Sequence, residues 1–213
     1  EFYKLGANIL GTSTTKSLKK NRFELFKVNF FDKKELKFFC DYLKNKKIDI
    51  LINNAGINKI SSIEKININD VRNILYINLE IPTLITSIVS KNMIKKKNGK
   101  IINISSIFGL ISKEKRSSYS SSKFGILGLT KSSALDLANK NILVNSISPG
   151  FIDTDLTRKI LKLSGMKKIS KTIPMRRLGD IKEVANLCIF LASNYNTYIT
   201  GQNIVIDGGF TIK

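Results

Sequence analysis

The chain has 213 residues and a formal charge of +20, from 36 Lys and Arg against 16 Asp and Glu, and it contains no histidine. Without an imidazole, Ser-His-Asp and Cys-His chemistry are excluded, and with Cys40 and Cys188 as the only cysteines a transition-metal site lacks its usual donors. The length suits a single domain with a substantial core, and no run approaches the ~18 uninterrupted apolar residues of a membrane span.

Taken in chain order, Phe2-Tyr3-Lys4-Leu5 reads as the end of a helix stopped by Gly6. It is not a charged leader followed by an apolar stretch, so no signal peptide is expected. Residues 8–13 and 24–29 read as strands, and the connection 14–22 is short for a full helix. Asp32 is placed to cap a helix over 32–44. Residues 48–53 form a buried strand that ends in a small-residue turn, Asn53-Asn54-Ala55-Gly56. A helical pattern over 69–94 contains Pro82, which demands a kink or a local bend. A strand over 100–105 is followed by Lys113-Glu114-Lys115-Arg116, read as a surface loop, and by a helix over 117–139. The strand 142–148 is broken by Pro149-Gly150; a helix over 181–192 and a last strand over 203–206 complete the chain. Apolar strands separated by helices predict an α/β fold, a doubly wound parallel sheet covered on both faces, with ligands at the carboxyl ends of its strands. Asn54, Ser106 and Pro149-Gly150 all fall at such ends.

The charge invites a nucleic-acid reading, but Lys and Arg are scattered from end to end and only six of the 36 basic residues are arginine, the type suited to bidentate phosphate recognition. Neither nucleic acid nor membrane is therefore expected as a partner, although the charge favours an acidic one. The two isolated cysteines fit a reduced, cytoplasmic compartment.

The chemistry concentrates at Tyr119-Ser120-Ser121-Ser122-Lys123, preceded by Ser106 at the end of a strand. On a helix, a spacing of four sets the phenol and the ammonium on one face, about one turn apart. A cation beside a phenol favours phenolate and draws its pKa from ~10 toward neutrality, where an acid or base works best. Leu51-Ile52-Asn53-Asn54-Ala55-Gly56, Asn78 within Tyr76-Ile77-Asn78-Leu79, Val144 to Thr154, and Ile199 to Gly209 stand in order along the chain around this pair. Together they resemble the short-chain dehydrogenase/reductase family, from Leu5 to the C-terminus.

That resemblance implies a Rossmann-like domain in which Tyr119 protonates a carbonyl oxygen that has received hydride at carbon. Lys123 would lower the phenol's pKa and hold the nicotinamide ribose, Ser106 (with Ser105 as rival) would orient the carbonyl, and Asn78 would anchor a relay water. It further implies adenine contacts at Asn29 and Phe30, turn contacts at Asn53, Ala55 and Gly56, and nicotinamide contacts at Pro149, Gly150, Ile152 and Thr154. NAD users place an acid at the end of the second strand. Here Ser13 and Thr14 stand there instead, so NADP(H) is favoured over NAD(H), with no metal. The resemblance also implies that the first strand and the glycine-rich phosphate turn precede Glu1 in a longer protein, leaving a slot in the sheet. Residues 6–12 and 151–157 are most similar to members that reduce 3-oxoacyl groups carried on acyl carrier protein, with Lys97 and Lys140 at places where such a carrier docks. A sugar or polyol dehydrogenase, or a non-catalytic NAD(P)-binding relative, is the alternative. A homodimer or homotetramer through the helices after Asn69 and Ser117 is implied as well, with Gly125 and Gly128 allowing close packing.

Overall fold

In the computed structural model, which describes residues 1–212, the strands form two sheets. The first contains β1 (Ile9–Ser13), β2 (Leu18–Lys20) and β3 (Phe23–Lys27) in the order β1-β3-β2, with β1 and β3 parallel and β2 antiparallel to β3. The second is wholly parallel, β4 (Ile50–Asn53), β5 (Gly99–Ile104), β6 (Ile142–Pro149) and β7 (Asn203–Ile206), in that order. Between the unjoined edges of β1 and β4 lies a cleft of about 760 Å³ lined by Leu10, Thr12, Leu51, Ile52, Ile85 and Val89.

The second sheet carries the core. Period-two alternation sends Ile101 and Val144 to one face, where they meet Ile81, Ile85, Ile88, Val89 and Met93, and sends Ile102 and Ile147 to the other, against Cys188, Leu191 and Ala192. The first face is covered by α3 (Ile81–Lys96) and α4 (Ser117–Leu137), with α2 (Ile68–Leu75) packed against α4, and the second by α6 (Ile181–Ala192). The segment Ile68–Lys96 is long and apolar enough to cross a bilayer by length and composition, but its buried side chains make it a core helix of this sheet.

Most elements begin where the sequence placed them. Asp32 caps α1 (Lys33–Lys44) by accepting from the amides of Lys34 and Glu35 at 2.8 and 3.0 Å. Gly6 adopts the left-handed conformation, φ 91°, that ends the Phe2–Leu5 turn. Pro82 resolves differently from a kink: the chain makes a π turn at Tyr76–Glu80, and α3 starts with the proline in its first turn. Pro82 has no amide hydrogen for the carbonyl of Asn78 four residues back, and the amide of Ile81 reaches Tyr76 instead.

Three expectations are corrected. Residues 14–22 contain the edge strand β2, whose Leu18 to Lys20 are exposed. Residues 155–170, which carried no element, form α5 (Asp155–Ser170), broken at Lys162 with φ 53°. The segment 113–116 is a surface loop only up to Lys115, because Arg116 turns inward and its Nη1 is buried.

Candidate active site

The parallel sheet ends its strands on one side, and four turns gather there. β5 runs into Ser105 and Ser106, and the Ser106 Oγ accepts from the amide of Phe108 at 3.2 Å, starting a short 3-10 turn. α4 then returns across that turn, placing Tyr119 and Lys123 one helical turn apart. Lys123 is 5% exposed, donates to the Ile104 carbonyl at the end of β5 at 2.9 Å, and has its Nζ 5.6 Å from the Tyr119 ring centroid. Burial alone draws the Lys123 ammonium down to about 8.

The phenol behaves otherwise than expected. Burial raises the Tyr119 pKa above that of an ordinary phenol, opposed by a hydrogen bond from Ser106 and by the charge of Arg116. The lowering expected from Lys123 is not what this structure contains: the amine points to the strand-end carbonyl, and Arg116 is the cation that acts on the phenol. Between the two serines the geometry discriminates, since Ser105 Oγ donates to the Lys123 carbonyl at 3.0 Å and so fastens α4 to β5, while Ser106 addresses the phenol.

Asn78 lies in the π turn and is 1% exposed. Its Oδ1 accepts from the Ile57 amide at 2.8 Å; its Nδ2 donates to the Ile57 carbonyl at 2.9 Å and to Ser122 Oγ at 3.0 Å. Ser122 in turn donates to the Tyr119 carbonyl at 2.7 Å. Both side-chain N–H groups are thus used in clamping the loop after β4 to α4, and Pro82, four residues on, has no N–H to offer the Asn78 main-chain carbonyl. A Cβ placed on Gly56 would stand 3.4 Å from Asn78 Oδ1 and 3.7 Å from Lys123 Nζ, so the Ala55-Gly56 turn closes directly over the pair.

The remaining candidates divide. Asn53 is buried and its Nδ2 donates to Asn103 Oδ1 at 2.8 Å and Thr86 Oγ1 at 3.1 Å, so its side chain braces the sheet, although the residue also borders the cleft. Phe30 is also core, packed 6.1 Å from the Phe39 ring, although it borders the cleft. Asn29 is exposed beyond β3, with its amide on Glu35 at 2.6 Å. Pro149 ends β6, and Gly150 needs to be glycine because a Cβ there would come within 2.8 Å of the Asp207 Cα. Ile152 bridges to Gly179, and Thr154 caps α5 by accepting from Thr157 at 3.1 Å. Ser13 Oγ, at the end of β1, accepts from the amides of Thr15 and Lys16 at 3.2 and 3.5 Å, with Thr14 exposed beside it.

These residues fit one half of a nicotinamide dinucleotide. Lys123 keeps two of its three N–H donors after Ile104 takes one, and an open turn faces it. For the pyrophosphate, no glycine-rich turn lies between β1 and β4 among the described residues; the cleft occupies that place. The residues missed by sequence reasoning are Ser122, the bracing set Thr86, Asn103 and Thr130, and Arg116. Polar residues at sheet-facing positions were the available signal for the bracing set, and a lone arginine amid lysines for the last.

Comparison with known proteins agrees with this geometry. The sequence profile of the family described as enoyl-(acyl carrier protein) reductase matches residues 6–211. The chain is similar to the 3-oxoacyl-(acyl-carrier-protein) reductase FabG of Buchnera aphidicola subsp. Schizaphis graminum (strain Sg), 40% identical over 216 residues, covering 96% of this chain and 87% of the relative. Among solved structures, 4-hydroxyisoleucine dehydrogenase complexed with NADH superposes with a TM-score of 0.91 at 28% identity, covering 100% of this chain and 91% of the other. ElxO with NADP bound gives 0.83 at 30% identity, covering 90% and 79%. With the Tyr119–Lys123 pair on the helix after β5, the parallel sheet, and a profile match over nearly its whole length, the chain belongs to the short-chain dehydrogenase/reductase family of oxidoreductases.

Proposed function

We propose that this protein reduces a ketone to a secondary alcohol with NADPH, its substrate a 3-oxoacyl thioester carried on acyl carrier protein, as the name of the relative from Buchnera suggests. The observation that carries the reading is the convergence of Tyr119, Ser106, Lys123 and the Gly56 turn at the carboxyl ends of β4 and β5. When bound, the reduced nicotinamide supplies the hydride. The phenol of Tyr119 gives its proton to the carbonyl oxygen, while Ser106 holds that oxygen in place. A donor aimed at a developing alkoxide typically contributes about 100-fold or more in rate. A phenol kept protonated by burial is suited to donate in this direction. Lys123 would hold the ribose through its free N–H groups, and Asn78 would anchor a water through its main-chain carbonyl.

The end of β1 supports NADP(H) over NAD(H). It offers hydroxyls, amides and the exposed Lys16, with no carboxylate between Gly11 and Lys20 to repel a 2′-phosphate. The buried, unbridged thiols of Cys40 and Cys188 fit a reducing compartment. A dimer or tetramer is proposed through α2, α3 and α4, where Leu84, Phe124 and Leu135 are exposed and Gly128 faces open space. Gly125 has an internal reason instead, since a Cβ there would meet Leu79 at 2.8 Å.

Following NADPH oxidation with acetoacetyl thioesters and with keto-sugars tests the reading. The thioester is expected to be used with at least about tenfold higher kcat/KM, a margin that ~1.4 kcal/mol of selective contact supplies. Faster turnover of keto-sugars would replace it by the sugar or polyol dehydrogenase.

A further inference from the structure

Arg116 is the one feature beside the proposed proton donor that neither the fold nor the mechanism above requires. Its Nη1 is buried and has no hydrogen-bond partner. Its guanidinium carbon lies 5.6 Å from the centroid of the Phe108 ring, and the same ring meets Tyr119 edge-on at 6.5 Å and Phe151 at 6.3 Å. Arginine and phenol thus flank one aromatic wall, three residues apart at the start of α4. Burying a guanidinium N–H without an acceptor is unfavourable, and such orphaned donors are rare unless a ligand completes them. The loop before it contains Glu114, yet the guanidinium turns away from solvent toward Phe108. A planar fork of donors is the group that recognises a carbonyl or carboxylate oxygen with geometric precision.

We propose that Arg116 is a specificity-determining residue whose Nη1 donates to a second oxygen of the substrate, one borne by the carbon two positions from the carbonyl carbon being reduced. The inference rests on the ketone-reductase reading above and deepens it. A 1,3-dicarbonyl compound presents two acceptor oxygens a few ångströms apart, and Tyr119 and Arg116 present two donors, both beside the Phe108 ring. A thioester carbonyl and a free carboxylate share this chemistry. A bound carboxylate would offset the charge of Arg116, which favours the phenolate form of Tyr119.

The test compares kcat/KM for acetoacetyl-N-acetylcysteamine, acetoacetate and 2-butanone, with NADPH, in wild type and Arg116→Gln. A hydrogen bond to a charged donor corresponds to roughly 10- to 100-fold, so the ratio of thioester to 2-butanone should fall by that factor, chiefly through KM. A fall confined to acetoacetate would assign the free acid as the ligand, and one confined to the thioester the carrier-linked form. Unchanged ratios of both the thioester and acetoacetate to 2-butanone, or an equal loss on all three ketones with a shifted pH profile, would overturn the proposal, the latter leaving Arg116 as a modulator of Tyr119. Were Arg116→Gln to fold poorly, Arg116→Lys, which keeps the charge and loses the fork, should show the same selective loss. If wild type reduces none of the ketones, the functional reading falls. Calorimetric titration with acetoacetate then decides Arg116 separately: about tenfold weaker binding by the Gln variant supports it, and equal binding refutes it.

Discussion

The two sheets of this molecule are built by different rules. In β6 every residue from Ile142 to Ser148 is buried, and the polar ones are satisfied by neighbours: Ser146 and Ser148 donate to Asn203, and Asn53, Asn103, Thr86 and Thr130 form a continuous chain through the sheet into α3 and α4. In the β1-β3-β2 sheet no strand residue is fully buried, β2 is wholly exposed, and the edge of β1 faces a cleft. The proposed acid therefore sits on the part of the structure where position is fixed by packing and hydrogen bonds together. The proposed nucleotide end sits where backbone and solvent dominate. Buried polar networks fix geometry where their members have partners, as the chain from Thr86 through Asn53 and Asn103 to Thr130 does beneath the proton-transfer site.

The sharpest way to break the contrast is Lys123→Met. Activity should drop by roughly 100-fold or more, while the folded protein gains about 2 kcal/mol at pH 7, since a buried ammonium and its one hydrogen bond are replaced by an apolar chain. Folding takes Lys123 from 10.5 to about 8. Between those values the unfolded chain holds a proton that the native one lacks, so wild-type stability should rise with pH across that window and the Met variant should not. Urea titrations at several pH values check both claims. Ser106→Ala should lower kcat by about 100-fold with little effect on stability, because its backbone cap is weak. Asn53→Leu should cost about 2–4 kcal/mol by orphaning Asn103 and Thr86, with activity falling only as the fold loosens. The mildest expectation is in hydrogen exchange: amides of β5 and β6 should exchange slowest, and those of β1 to β3 at least ~10-fold faster. Uniform protection across both sheets would erase the distinction.

Much of this was legible from residues alone, for identifiable reasons. Asp32 and Gly6 act through local backbone chemistry, so their helix ends fell where expected, and α6 starts at Ile181 as read, its capping box of Asp180 and Glu183 being found only in the structure. Tyr119 and Lys123 could be paired because helical spacing is periodic. The state of that pair was not legible: whether Lys123 points at the phenol or at the Ile104 carbonyl depends on where β5 ends beneath α4, a tertiary fact. The packing of the Asn53 and Phe30 side chains was not legible either, because proximity in sequence to a strand end does not say which way a side chain turns; both also border the cleft. The π turn at Tyr76–Glu80 follows from Pro82 only once the flanking helices are known to be continuous. Helix α5 escaped notice because its apolar residues are interrupted by lysines and by a left-handed residue at Lys162.

The central claim is that the hydroxyl of Tyr119 delivers the proton. Comparing NADPH oxidation with an acetoacetyl thioester by wild type and Tyr119→Phe tests it most directly. The account predicts a loss of at least ~100-fold in kcat with NADPH affinity changed less than ~3-fold; a Phe variant within about tenfold of wild type in kcat would contradict it.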